Sequence, residues 1–196
     1  MTLEAPFRAG RIEDAALLCE LVNYAGERLP LYLWGKLATP EQDAWAVGYS
    51  RAVRDAGSFS YRNAIVIEDD GQAAGCLIGY AIPDTIEPVP DDIPPMFRPL
   101  QELENLAPGS WYVNVLAVVP DRRSRGLGRK LLDLAEDRAR RSGHGAMSII
   151  VSDANVGARR LYERCAYDEA GTRPMIKDNW DNDGENWVLL TKRLDA

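Results

Sequence analysis

A mixed α/β fold in one domain is what the order of elements along this 196-residue chain predicts. Three observations carry that expectation. Two strand-like runs, Asn63 to Glu68 and Ala73 to Ile82, flank Asp69-Asp70-Gly71, whose turn chemistry joins them as a β-hairpin. Trp111 to Val119 is apolar except for Asn114, as a centrally buried strand should be. A helical pattern with Leu127, Leu131, Leu134 and Ala135 on one face then leads to a second apolar strand, Met147 to Val151, in the order of a strand, a crossover helix and a strand.

The remaining elements follow in order. Phe7-Arg8-Ala9 suits a short first strand, and Ile12 to Ala25 places Leu17, Leu18, Leu21, Val22 and Ala25 at helical spacing, with Gly26 as the stop. Glu27 to Trp34 is too apolar and aromatic for a plain surface loop and is expected to fold over something. A helix over Pro40 to Ala56 is expected, with Thr39 as N-cap, a proline in its first turn, Trp45, Val47 and Val53 for packing, and Gly57 at its end. Between Pro83 and Pro108 fall seven of the twelve prolines, with Asp84, Glu87, Asp91, Asp92, Glu102 and Glu104, a density no central strand tolerates. An insertion at the surface over about 83–109 is the expectation, with a helical turn near Pro99 to Asn105, and either a lid or flexible filler fits its composition. Ser142-Gly143 ends the crossover helix, Asn155 to Cys165 is another helix, and Tyr167 onward leads into a last pair that includes Trp187 to Thr191.

Composition excludes several functions. No apolar run approaches the ~20 residues that span a bilayer, and Arg8, Arg11, Glu13, Asp14, Glu20 and Glu27 interrupt the first thirty residues as a secretory core is not interrupted. A cytoplasmic location without membrane contact is expected. Cys19, Cys76 and Cys165 are odd in number and widely spaced, which suits neither disulfides nor zinc, and the lone His144 lies in a turn-like Ser-Gly-His-Gly stretch. No metal is expected. From Arg122 to Arg164 eleven Lys and Arg face five Asp and Glu, while 12 basic and 25 acidic residues make up the rest of a chain of net charge −7. An acidic protein with one basic segment favours a small, highly charged anion over nucleic acid.

The place for that anion is the stretch Val118 to Lys130. Two glycines and several cations sit where a strand meets a helix, and first-turn N–H groups lack intrahelical partners. A P-loop needs G-x-x-x-x-G-K-[ST], and Gly126-Leu127-Gly128-Arg129-Lys130-Leu131 has neither its length nor its hydroxyl. A dinucleotide fingerprint needs a small third residue where Leu131 stands, and usually opens the first βα unit. Arg123-Ser124-Arg125-Gly126-Leu127-Gly128 instead resembles the R/Q-x-x-G-x-G/A signature of the GNAT-type N-acetyltransferase superfamily. Asn155, Ala158 and Tyr162 are similar to the N-x-x-A-x-x-x-Y block of the same family, although Ala166-Tyr167 stands where a Gly-Phe is common.

That resemblance implies a mostly antiparallel central sheet with one parallel pair splayed around the cofactor and helices on both faces. It implies acetyl-CoA as cosubstrate, its pyrophosphate on the backbone of Arg123 to Gly128 with Arg123, Arg125 and Arg129 nearby, and its pantetheine paired along Leu116, Ala117 and Val118. Asn155 is expected to bond the pantetheine and Tyr162 to protonate the departing thiolate. From the charge balance, the acceptor expected is a small-molecule or peptide amine, cationic to suit the acidic remainder including Asp178, Asp181, Asp183 and Glu185, with Asn114, Tyr32 and Trp34 as candidate contacts and Phe59 to Arg62 as a further pocket wall. For the general base, Glu102, Glu104, Asp153 and a water chain stay open. So do a monomer or homodimer, and a catalytically silent module that senses acyl-CoA.

Overall fold

Asp70 and Gly71 both take positive φ, 53° and 73°, the pair of left-handed residues that a two-residue hairpin loop needs to match strand twist. They join β2 (Ile65–Asp69) to β3 (Gln72–Ala81) in antiparallel register, Ile65 opposite Leu77. The computed structural model describes residues 3–86 and 88–195; Glu87, counted above with the insertion, lies outside them. The strands follow the order β1-β2-β3-β4-β5-β7-β6, with β4 (Trp111–Val118) and β5 (Ala146–Ser152) parallel. By contact the chain forms two compact units, residues 1–78 with 115–131 and residues 79–114 with 132–196.

In the first unit, β1 (Phe7–Ala9) pairs with β2, and a 3-10 turn at Ile12–Asp14 leads into α1 (Ala15–Ala25). Leu18, Leu21 and Val22 of α1 are buried at helical spacing, which is why this segment is amphipathic. The Arg8 guanidinium donates to both Asp14 carboxylate oxygens at 2.7 and 2.8 Å, and the Arg11 N–H donates to the same group at 2.7 Å. The apolar stretch after Gly26 is itself a helix, α2 (Leu29–Leu37), with Pro30 in its first turn, where a missing N–H costs nothing. Trp34 is buried, stacked on Phe59 at 5.8 Å and edge-on to Trp45 at 6.1 Å. Gly48 admits that ring, since a Cβ there would fall 2.5 Å from it. Helix α3 runs only Ala44–Ala52, and its cap is Asp43 rather than Thr39: Asp43 Oδ1 accepts the Ala46 N–H at 2.7 Å, the N3 position a side-chain cap reaches.

The second unit holds α4 (Arg98–Glu104), α6 (Val156–Arg164), β6 (Asp168–Pro174), β7 (Asn186–Arg193) and the body of α5 (Leu127–Arg141). Strand β7 lies antiparallel to both β5 and β6, with Leu190 opposite Ile149 and Val188 opposite Thr172. The proline-rich insertion is more than surface. Leu103 is fully buried, Met96 and Ala107 nearly so, and α4 packs against β5, β6 and β7. Its prolines cluster ahead of and in the first turn of α4, where φ near −65° and a missing N–H are tolerated, which leaves the rest of that turn free to bury apolar groups. Its far end is tied down as well: Ser110 Oγ lies 2.6 Å from Ser148 Oγ, and His144 Nδ1 lies 3.0 Å from the Gly109 carbonyl oxygen.

Candidate active site

Between β4 and α5 the glycine turn is built by backbone conformation and held by cations. A 3-10 turn at Pro120–Arg122 follows β4, then Ser124 and Gly126 take φ of 62° and 81°. A Cβ on Gly126 would meet nothing within 4 Å, so the left-handed conformation, rather than crowding by protein, favours glycine there. The Lys130 N–H reaches the Gly126 carbonyl oxygen at 3.1 Å and starts the helix, while Leu127 buries its side chain beneath the turn. First-turn N–H groups and the positive end of a 15-residue helix therefore face an open, exposed turn.

The arginine side chains do different work from the one their charge suggests. Arg122 Nη1 donates to Asp69 and Asp70 at 3.0 and 3.1 Å, and Arg125 Nη1 donates to Asp69 at 3.0 Å. The Arg122 hydrogen bond, with Arg125 beside it, holds the Asp69 carboxyl below the usual carboxylate range. Arg123 Nε donates to the Val118 carbonyl at 3.1 Å and its guanidinium lies 5.6 Å over the Tyr24 ring. These contacts brace the turn against the hairpin and α1. Arg129 and Ser124 are exposed on the same turn. On β4, Ala117 and Val118 are buried and Leu116 half-buried.

In the second unit β4 and β5 pair only at Trp111–Met147 and Tyr112–Ser148. Beyond that pair Asn114 is exposed, and the Ile150 main chain faces the buried Tyr112 phenol. Asn155 caps α6, its Oδ1 accepting the Ala158 N–H at 3.1 Å. Seven residues on, Tyr162 is 4% exposed with its ring 5.9 Å from that of Tyr167. Burial, and then Cys165 nearby, pushes the Tyr162 phenol above its ordinary range, so it stays protonated at neutral pH. The helix ends as the Tyr167 N–H bonds the Tyr162 carbonyl and the Ala166 N–H bonds that of Glu163, both at 3.0 Å, with Ala166 at φ 62°.

The model of the acetyltransferase (GNAT) family matches residues 27–167, running through both units and both motif blocks. The chain belongs to the GNAT acetyltransferase family. Solved structures share its fold at low identity. An N-acetyltransferase from Staphylococcus aureus Mu50 is 19% identical with a TM-score of 0.62, covering 96% of this chain and 100% of that one. A mosquito arylalkylamine N-acetyltransferase like 5b is 18% identical with a TM-score of 0.62, over 96% and 99% of the two chains. The yncA protein of Salmonella typhimurium, a putative acetyltransferase by description, was solved with its cofactor acetyl-CoA; it is 19% identical with a TM-score of 0.55, over 97% and 94%. No curated protein matches the sequence closely enough to count as a relative.

Within this GNAT acetyltransferase the three carboxylates have separate fates. Asp153 accepts from the backbone N–H groups of Glu185 and Asn186 and from the Asn186 side chain, at 2.9, 3.0 and 2.9 Å. Burial alone would raise its carboxyl, yet these bonds hold it below the usual range. Glu102 is paired with Arg173 at 2.9 Å. Glu104 is half-buried and its carboxyl is raised by burial. Of the acceptor candidates, Tyr32 is half-buried with Lys36 Nζ 4.8 Å over its ring, Tyr61 lies under the Arg62 guanidinium at 5.3 Å, and Trp34 is a core residue of the first unit. Sequence reasoning passed over Tyr80 and Tyr112, whose rings lie 5.4 Å apart. The only signal was that Tyr112 shares the period-2 face of Asn114. Among the described residues no three His, Cys, Asp or Glu are grouped to hold a metal, and no helix is long and apolar enough to cross a membrane.

Proposed function

We propose that this acetyltransferase is a single catalytic domain that moves the acetyl group of acetyl-CoA to a primary amine by direct attack on the thioester. The observation that carries the reading is the glycine turn: left-handed Ser124 and Gly126 open the start of α5 to solvent, in a chain whose family model covers the same residues. In this reading the pyrophosphate rests on the N–H groups of Arg123 to Gly128, and Arg129 adds charge from the helix. Arg123, Arg125 and Arg122 contribute by holding the turn in shape. The main chain of Leu116, Ala117 and Val118 pairs with pantetheine, and an N–H there polarises the carbonyl on which an oxyanion develops. Asn155 Oδ1 accepts from the Ala158 N–H, and its Nδ2 supplies the donor for pantetheine.

Tyr162 serves as the acid for the departing thiolate. A buried phenol is a reluctant donor, but the same desolvation makes a thiolate beside it more basic, which brings the two into range. The acceptor is a small molecule or peptide with a cationic amine, oriented by Asn114. A thiol-release assay over a panel of alkylamines, polyamines and lysine peptides, run beside thermal melts with acetyl-CoA, tests the reading. Both a raised midpoint and amine-dependent thiol release are expected. A midpoint shift with no release on any amine would favour a silent acyl-CoA sensor, and no shift at all would remove the cofactor assignment.

A further inference from the structure

A turn that offers backbone N–H groups to an anion binds well only if its shape is fixed beforehand, because every residue left free must be ordered on binding. In the first unit that fixing comes from the hairpin. Strand β4 leaves the sheet alongside β3, where the Val119 N–H donates to the Ala74 carbonyl at 2.9 Å, so the glycine turn starts beside the loop that joins β2 to β3. One oxygen at that loop, Asp69 Oδ2, accepts from Arg122 Nη1 and from Arg125 Nη1, both at 3.0 Å. The two arginines stand on either side of Ser124, whose φ of 62° carries a steric cost for a residue with a Cβ. Asp70 and Gln72 accept further bonds from Arg122 at 3.1 and 3.3 Å. The Arg122 and Asp69 side chains are 20% and 22% exposed, which sets this pair apart from freely solvated ion pairs that contribute little. Asp69 thus ties together the two ends of the left-handed step in the turn.

Resting on the pyrophosphate assignment above, we propose that Asp69 is a positioning residue for the cofactor. By holding Arg122 and Arg125 on one oxygen it keeps the N–H groups of Arg123 to Gly128 in the conformation that receives the pyrophosphate, and Arg125 acts through this carboxylate rather than as a phosphate ligand. A carboxylate near an anion also repels it, so two effects oppose each other. The repulsion is the weaker one. Two guanidinium groups already offset the Asp69 charge, and what field remains at an exposed turn is screened within about 10 Å at 0.1 M salt. Removing Asp69 frees both side chains and the turn with them, which costs more in order than it returns in charge. The pyrophosphate lies at the opposite end of the cofactor from the thioester, so the loss belongs to binding and not to the chemical step.

The test is steady-state thiol release by the wild type, Asp69→Asn, Arg125→Gln and the double variant, at a saturating concentration of the best alkylamine of the panel. Two donors are compared: acetyl-CoA, and acetyl-pantetheine, which lacks the pyrophosphate. Asp69→Asn should raise KM for acetyl-CoA by about tenfold or more, leave kcat within about twofold and shrink the acetyl-CoA melting shift. With acetyl-pantetheine its kcat/KM should stay within about twofold of the wild type, which a general loss of fold would not allow. Arg125→Gln should also raise KM for acetyl-CoA, and the double variant should lose no more than Asp69→Asn alone, since both changes break one contact. Losses that multiply in the double variant would make Arg125 a direct phosphate ligand and overturn the assignment. An Asp69→Asn enzyme whose KM is unchanged or lower, or one that loses equally on both donors, overturns it as well. A wild type that uses acetyl-pantetheine as well as it uses acetyl-CoA overturns the pyrophosphate reading itself.

Discussion

Tyr162 reads from sequence as either catalyst or core aromatic; its ring packs on Tyr167 as a core residue's does, and burial keeps its phenol protonated, as the proposed acid requires. Replacing it with phenylalanine preserves the packing and removes only the proton. Tyr162→Phe should slow acetyl transfer by about 10²-fold or more with little change in acetyl-CoA affinity, as kcat against a melting titration would show; an unchanged kcat removes Tyr162 from the chemistry. Four residues later the departure from the family pattern becomes physical. Ala166 occupies the left-handed position that closes α6, at φ 62°, where a Cβ is strained. Ala166→Gly should therefore raise the denaturant midpoint by the equivalent of about 0.5–1 kcal/mol, part of the relief being lost to a more flexible unfolded chain. A lower midpoint would show that the strain is absent. Asn155 carries a similar double meaning, since an N-x-x-A pattern also describes a side-chain cap bonding the N3 amide, which is the contact seen with Ala158.

Among the elements, periodicity served best where one period dominates. The hairpin, β4, α5 and β5 stand near their expected bounds because Asp70-Gly71 supplies the turn and continuous apolar runs supply the strands. It failed where aromatic residues and prolines disguise a helix. Leu29–Leu37 carries Pro30 in the first turn and packs Trp34 inward, so its pattern resembles neither a clean helix nor a loop. Its neighbour α3 begins four residues after Thr39-Pro40, at the cap its own Asp43 provides. In the insertion the helical turn expected near Pro99 to Asn105 is present as α4, and what the prolines hid is that it is packed rather than superficial, as Leu103 shows. Truncating this fully buried side chain, Leu103→Ala, should cost about 2–5 kcal/mol by urea unfolding, as for a core residue. A loss below about 0.5 kcal/mol would return the segment to the class of surface loops.

At the scale of the whole molecule, charge was legible as a tally but not as a map. Eleven basic residues between Arg122 and Arg164 suggested cations waiting for phosphate. Folding pairs Arg122 and Arg125 with Asp69 of the distant hairpin, so those two charges are already engaged within the fold. A second such pairing governs acid stability. Burial opposes the charge on Asp14, but hydrogen bonds from Arg8 and the Arg11 backbone outweigh it and depress its carboxyl below the ordinary value. A depressed carboxyl contributes stability that is present above the unfolded pKa and lost as pH falls through the folded one. Asp14→Asn should lower the neutral-pH midpoint by the equivalent of about 2–3 kcal/mol and flatten the decline in stability below about pH 4, measured by urea unfolding against pH. An unchanged acid limb would mean that Asp14 does not drive it. The sequence by itself determined the class of fold, the family and the kind of donor, because those depend on local period, turn chemistry and contiguous motifs. Only tertiary structure decided which carboxylates and arginines are already engaged, since Asp153, Glu102 and Arg122 find their partners more than thirty residues away along the chain.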